Sequence, residues 1–354
     1  MTADVGSAID CTARPVDAAL WLARAFTAGR RLAVRAPGAP DHAHHVAVEF
    51  VHPVVAGTRP LAAAVAPSEA AAAGSTDVTL VIGESGDSTG PAVAADIFIS
   101  GDQADISIVR SYHLLWELVQ VALEHPGLVG SAGAAGGDST GFLYPFLDAA
   151  EDDEASLREA LRASADAKRD ESDRLASESL ESNRGPLESA GAAIGRAARS
   201  GGRVLTMGNG GSATDAARLA RMLRSHGVAA ESLSTDYAVA TALANDLGAE
   251  RIFSRQLDAF GQPGGVLVGC STSGASRNLL AAFDRAAAMD MTTVGLSGYG
   301  GGSFTGHPSV DHSLVVQSMS VHRIQEAQAA LMSALCERAA GALAATGQAS
   351  EAAP

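Results

Sequence analysis

Arg203-Val204-Leu205-Thr206-Met207-Gly208-Asn209-Gly210-Gly211-Ser212 and Val266-Leu267-Val268-Gly269-Cys270-Ser271-Thr272-Ser273-Gly274-Ala275-Ser276 are the stretches on which the reading of this chain turns. Each begins as a short apolar run, turns through small residues, and enters an Ala-, Leu- and Arg-rich stretch with helical spacing. Strand, small-residue turn and helix in that order aim backbone N–H groups and the helix dipole at an anion. A single loop of this kind is weak evidence. Two, each with hydroxyls able to donate to phosphate oxygens, point to a phosphorylated small molecule.

Outward from the loops, the C-terminal half alternates. Helical spacing covers 155–182 and 186–200, followed by a strand at 203–207 and a helix at 213–226. A strand near 228–233 leads to a loop with Asp236 and a helix at 237–247. Strand 265–270, helix 275–289, strands 292–296 and 313–316, and a helix at 321–344 complete the half. Val- and Leu-rich short strands alternating with helices imply a parallel sheet covered on both faces, with ligands beyond the carboxyl ends of its strands.

The N-terminal half reads as a shortened repeat of the same plan. Ala18–Gly29 matches the helix before the first strand, Arg31-Leu32-Ala33-Val34 the strand, and Asp41–Val51 the helix after the first loop. Val78–Ile82 with Glu84-Ser85-Gly86-Asp87-Ser88 echoes the second strand and loop, and Asp96-Ile97-Phe98-Ile99 parallels Asp311-His312-Ser313-Leu314. A last helix spans 106–124. Ser88 to Asp96 is far shorter than Ser276 to Asp311, so one helix–strand crossover is missing. The expected layout is an α/β half-repeat over 1–128, a Gly-rich and acidic linker over 129–154, a full α/β domain over 155–346, and a disordered tail over 347–354. Within the linker Phe142–Leu147 is too apolar to be free and is expected to dock on a domain.

Bulk properties narrow the function classes. The 354 residues suffice for two ordinary domains, and few aromatics with much Ala and Gly favour close helix–sheet packing. A net charge of −15 without a basic stretch argues against a nucleic-acid surface. Cys11, Cys270 and Cys336 lie far apart without ligand spacing and read as reduced thiols. No leader pattern and no membrane-spanning run is present, so a soluble cytoplasmic protein without a membrane partner is expected.

At Gly208–Asp215, Ser271–Ser276 and Arg323-Ile324-Gln325-Glu326 the sequence resembles the phosphoheptose isomerases, sedoheptulose 7-phosphate isomerases of the SIS (sugar isomerase) family. Ser234-Thr235-Asp236, Ala244-Asn245-Asp246 and Phe253-Ser254-Arg255-Gln256 extend the likeness, which covers about residues 155–345. It implies a flavodoxin-like α/β/α sandwich with a parallel sheet, here in tandem with a shortened half-repeat. It also implies a homo-oligomer, dimer or tetramer, with sites at subunit interfaces. Carried over by position, Asn209, Gly210, Ser212, Ser271, Thr272, Ser273 and Ser276 hold the phosphate and sugar hydroxyls, with Asp236 beside them. A tight turn with helix caps uses the same residue types and is the bland alternative.

Aldose–ketose isomerisation needs a base to move a proton between adjacent carbons and an acid or metal to polarise the carbonyl. The resemblance implies a His and a Glu four residues apart on the helix after the first loop, and a Gln and a His on the last helix; several of these bind zinc in some members. In the C-terminal half the first pair is Arg218 and Met222; Gln325 is present, but Ser333 stands at the His position. The N-terminal half shows the reverse. Its turn, Ala36-Pro37-Gly38-Ala39-Pro40, loses N–H donors to proline, yet the next helix places His45 and Glu49 on one face. With a loop one residue shorter, these fall on the family's His and Glu positions. His113 and Glu117 also share a face of the last helix of this half, where Leu118 takes the catalytic His position.

A composite site is therefore expected, with phosphate binding and Gln325 from the C-terminal half and acid–base residues His45 and Glu49 from the N-terminal half. Caps and solvated charges are the bland reading of that helix start. Zn²⁺ is a candidate cofactor, with His42, His44, His45 and Glu49 as candidate ligands and no distant third ligand set by spacing. Arg218 and Arg221, one turn past the first loop, read either as facing substrate phosphate or, with at least equal weight, as solvated helix charges, and Cys270 reads as structural. The leading expectation is a sugar-phosphate isomerase working through an enediol. A binding or assembly scaffold without turnover, as in the relative that binds a replication initiator, is the alternative. The tandem aminosugar-phosphate isomerase module of glucosamine-6-phosphate synthase ranks lower, because the loops are of the phosphoheptose type.

Overall fold

The computed structural model describes residues 8–53, 58–66, 77–83, 95–101, 106–125 and 154–345. The Ser85–Ser88 loop, the apolar segment 142–147, most of the acidic linker and the tail lie outside them. The chain divides into two compact units, residues 1–171 and 172–354.

Unit 2 contains strands β6 (Val204–Gly208), β7 (Ala230–Ser232), β8 (Val266–Cys270), β9 (Thr292–Ser297) and β10 (His312–Val315). They form a parallel sheet in the order β10-β9-β8-β6-β7. Every residue of β6 and β8 is buried, as the continuous apolar runs require of strands covered on both faces. Successive residues face opposite layers. Val204, Val266 and Val268 pack with Leu187 and Ile194 of α5 (Arg184–Arg199), Leu219 of α6 (Gly211–Ser225) and Ile324 and Leu331 of α10 (Val321–Ala344). Leu205, Met207 and Leu267 pack with Phe253 and Leu257 of α8 (Ile252–Phe260) and Leu279 and Phe283 of α9 (Arg277–Ala287). This is the α/β/α sandwich. Helix α7 (Tyr237–Leu247) buries none of its residues. Helix α8 has no counterpart among the expected elements, because its nine residues are too short for a clear period.

Unit 1 has its own parallel sheet of β1 (Ile9–Asp10), β2 (Leu32–Arg35), β3 (Ala63–Val65), β4 (Val78–Gly83) and β5 (Ile97–Ser100), in the order β1-β5-β4-β2-β3. Helices α1 (Pro15–Thr27), α2 (Pro40–Val51) and α3 (Ile106–Glu124) belong to it, as does the first part of α4 (Glu154–Ser182). The two sheets show the repeat. In each, the strand before the first loop lies between its two successors, as β2 does between β3 and β4 and β6 between β7 and β8.

The missing crossover has a structural consequence. By place in the sheet, β5 sits against β4 as β9 sits against β8, and the edge that β10 holds in unit 2 is taken by β1, from ahead of α1. The sequence parallel of Asp96 with Asp311 survives locally: Asp96 accepts from the Thr79 N–H and Asp311 from the Thr293 N–H, both at 2.8 Å. Strands β1 and β3 have no counterpart among the expected elements, because two and three residues carry too little alternation to read. Residues of β4 and β5 alternate between buried and half-buried, so one face of this sheet is better covered than the other.

Candidate functional site

The two loops of unit 2 start level with each other. Gly208 and Cys270, the last residues of β6 and β8, are register partners on adjacent strands. Here the strand order reverses, since β6 is followed by β7 on one side and β8 on the other. Such a switch point leaves a crevice beyond the strand ends. Gly208 is dictated by sterics, as a Cβ there would lie 2.2 Å from the Ser212 carbonyl oxygen. Gly274 has φ +62°, and a Cβ would lie 2.3 Å from the Gly301 carbonyl oxygen.

Asn209 and Asn278 tie the loops together by a reciprocal amide pair, with Asn209 Nδ2 donating to Asn278 Oδ1 at 3.0 Å and Asn278 Nδ2 donating to Asn209 Oδ1 at 2.8 Å. The Ser234 hydroxyl closes the first turn, accepting from the Gly208 N–H and donating to the Gly208 carbonyl, each at 3.0 Å. In the second turn the Ser271 Oγ accepts from the Gly274 N–H at 3.0 Å, and Gln328 of α10 donates to the Ser271 carbonyl at 2.9 Å. Ser212 and Ser271 are buried, Thr272 and Ser276 half-buried, and Asn209, Gly210 and Ser273 exposed.

Helix α6 begins after Gly210 and α9 after Ser276, and neither has a side-chain cap. The same holds for α1, α2, α5 and α8, whereas α7 and α10 are capped by Asp236 and Ser320. Asp236 is exposed and accepts from the Val239 N–H at 3.0 Å, so its visible task is to cap α7. Asp236→Ala should lower stability by about 1 kcal/mol, and Asp236→Ser should restore most of it; an unchanged melting temperature in the alanine variant would contradict the capping role.

Arg218 and Gln325, at two of the positions expected to hold acid–base residues, meet at Asp215. Arg218 is 1 % exposed and is not a solvated helix charge. Its Nη2 lies 3.8 Å from Asp215 Oδ1 and 3.6 Å from the Met332 sulfur. Gln325 donates to Asp215 Oδ2 at 3.0 Å, and Arg323 pairs with Glu326 at 2.9 Å in the interior. Met222 is buried and Ser333 donates to the Ala329 carbonyl. Burial, with the Asp215 carboxylate adding to it, pushes the Cys270 thiol far above its ordinary range, so it stays protonated and structural.

Unit 1 brings a second set together. Helix α2 buries Asp41, His42, His45 and Glu49, and α3 buries His113, Glu117 and Gln120. Interior ionisable groups at this density are rare unless paired or functional. His45 Nε2 faces His113 Nε2 at 3.2 Å and lies 3.6 Å from Glu49 Oε1. One donor atom from each of these three residues falls within 4.8 Å of the others. The Tyr112 ring lies 4.9 Å from that of His45 and 6.0 Å from that of His42, and Lys168 of α4 pairs with Glu117. Two expectations need correction. The start of α2 is neither capped by a side chain nor solvated, and His44 is exposed and away from the cluster, which His113 completes instead.

Asn278, Asp215 and Lys168 were not singled out from sequence. Asn278 carries a weak signal, since an amide two residues beyond Ser276 is placed to reach the neighbouring loop; Asp215 closes the Gly208–Asp215 stretch with no role marked for it, and Lys168 carries no signal.

The SIS domain family matches residues 169–298. A phosphoheptose isomerase from Roseiflexus sp. is 43% identical over 145 residues, 39% of this chain and 73% of that protein. One from Campylobacter jejuni is 40% identical over 160 residues, 44% of this chain and 85% of that protein. The chain belongs to the phosphoheptose isomerase family. Unit 2 carries this membership, and with it the loops at Gly208 and Ser271. The C-terminal domain of glucosamine-fructose-6-phosphate aminotransferase from Francisella tularensis matches 94% of this chain and 95% of its own, with a TM-score of 0.52. At 11% identity that likeness is one of fold alone, and it extends through both units. No described helix is long and apolar enough to cross a membrane.

Proposed function

We propose that the chain is a sugar-phosphate isomerase that interconverts sedoheptulose 7-phosphate, or a closely related ketose phosphate, and its aldose through an enediol. The observation that carries this reading is the pair of helix starts without side-chain caps, α6 and α9, opening side by side at the switch point and joined by Asn209 and Asn278. Backbone N–H groups at two helix N-termini, with the hydroxyls of Ser212, Ser271, Thr272, Ser273 and Ser276, suit a phosphate monoester.

Isomerisation removes a proton from the carbon next to the carbonyl and returns one to the former carbonyl carbon, while the carbonyl and hydroxyl exchange places. His45 and Glu49 are assigned these transfers, because Arg218 and Met222 at the matching positions of unit 2 offer no base at neutral pH. Gln325, fixed on Asp215, is assigned the orientation of substrate hydroxyls. A zinc ion, where one is bound, would polarise the carbonyl. Assembly as a dimer or tetramer in the cytoplasm belongs to the same proposal; the exposed apolar side chains of α7, including Tyr237 at 82 % exposure, and three free buried thiols support it.

The test is incubation of the full chain with sedoheptulose 7-phosphate in D₂O, with and without zinc. The expected result is formation of the aldose with deuterium on the carbon next to its carbonyl. Tight binding with neither aldose nor deuterium exchange would leave a binding scaffold and overturn the isomerase.

A further inference from the structure

We infer that Arg218 and Gln328 hold the carbonyl end of the ligand in unit 2, with Arg218 donating to the carbonyl oxygen and Gln328 Oε1 accepting from the neighbouring hydroxyl. The inference rests on the isomerase reading for a ligand with a carbonyl beside a hydroxyl; the two residues come from the geometry of this chain.

Gln325, Gln328 and Met332 follow one another on α10 at spacings of three and four and so share a face. Gln325 meets Asp215 of α6 at 3.0 Å. Arg218 Nη2 lies 3.8 Å from the same aspartate and 3.6 Å from the Met332 sulfur. The guanidinium is therefore bracketed by Gln325 and Met332, at the level of Gln328. Gln328 Nε2 donates to the Ser271 carbonyl at 2.9 Å, which ties this polar layer to the first residue of the second loop. The Cys270 thiol, one residue earlier, feels the charges of both Asp215 and Arg218.

The remaining polar atoms of the layer are complementary. Arg218 Nε and Nη1 and Gln328 Oε1 have no hydrogen-bond partner among the described residues, although Arg218 is 1 % exposed and Gln328 fully buried. Buried donors and acceptors cost free energy until something pairs with them. The neighbouring carboxylates do not occupy the guanidinium. Arg323 and Glu326 close on each other at 2.9 Å, whereas the 3.8 Å between Arg218 and Asp215 exceeds hydrogen-bond reach.

Donors on a cation beside one amide acceptor suit an oxygen that gains negative charge next to a hydroxyl. A hydroxy ketone or hydroxy aldehyde offers that pair. When a proton leaves the carbon beside the carbonyl, its electron pair passes to the carbonyl oxygen, and a fixed cation stabilises the enediolate. The guanidinium cannot take the proton itself, because it stays charged at neutral pH. Arg218 is thus an electrophile at a position where the family likeness led to the expectation of a base.

The experiment titrates the full chain with two phosphorylated analogues of the sugar chain, a hydroxamate that mimics the enediolate and an alditol that has no carbonyl. The wild type should bind the hydroxamate roughly a hundredfold more tightly, as a transition-state mimic does. Arg218→Met should abolish that preference with alditol affinity near wild type. Arg218→Lys, which keeps the charge should the methionine variant not fold, should reduce it. Removing the hydroxyl beside the hydroxamate should weaken binding to the wild type severalfold and leave binding to Gln328→Leu unchanged. A loss that persists in Gln328→Leu would overturn the Gln328 contact. No preference in the wild type, or an undiminished preference in the folded Arg218 variants, would overturn the inference and make Arg218 structural. A preference that depends on Arg218 without turnover would leave the inference standing and remove the isomerase; undiminished turnover in Arg218→Met would do the opposite.

Discussion

Gly208→Ala should weaken binding of the sugar phosphate by about a hundredfold or more, the scale on which a misplacement of roughly 1 Å acts. The added methyl carbon would sit 2.2 Å from the Ser212 carbonyl oxygen, which is backbone and cannot rotate away. Either the first turn of α6 or the end of β6 must move, and the N–H groups aimed at the phosphate move with it. Gly274→Ala should act in the same direction on the second loop, because its φ of +62° is strained for any side chain and the Gly301 carbonyl blocks the space. Calorimetric titration with sedoheptulose 7-phosphate, alongside circular dichroism to confirm folding, reads the effect. A folded Gly208→Ala protein with wild-type affinity would show that the phosphate is held elsewhere.

His45→Ala and Glu49→Gln should lower kcat by about 10²- to 10⁴-fold, the contribution typical of a positioned acid or base, while affinity for the phosphate end of the ligand stays near wild type. The two families of variants then separate. Glycine variants in unit 2 lose binding, and α2 variants in unit 1 lose turnover. Both α2 side chains are almost fully buried, so thermal melting must accompany the kinetics. Unchanged turnover in either folded variant would place the proton transfers outside α2.

The legibility of this chain followed the length of its signals. Strands β6, β8 and β9 and the long helices α4, α5, α6 and α10 were readable because apolar runs and helical periods persist over many residues. The loops were readable because Gly208 answers to the Ser212 backbone four residues on and Gly274 to its own positive φ, whereas the Gly301 carbonyl that also crowds Gly274 comes from a distant part of the chain. Strand β1 was not, since two residues carry no pattern, and only a vacant sheet edge beside β5 gives them a place.

The site divides along the same line. Legible in the sequence by itself were the likeness to the family, the two small-residue loops, Arg218 and Met222 on the helix after the first of them, and the shared helix face of His45 and Glu49. Each of these depends on residue type and on spacings within one element. Only the tertiary structure showed that Asn209 meets Asn278, that Gln325 of α10 reaches Asp215 of α6, and that His113 closes on His45 from 68 residues away. Those contacts join different elements, and the distance between two helices is set by how they pack on a sheet rather than by the residues that separate them in the chain.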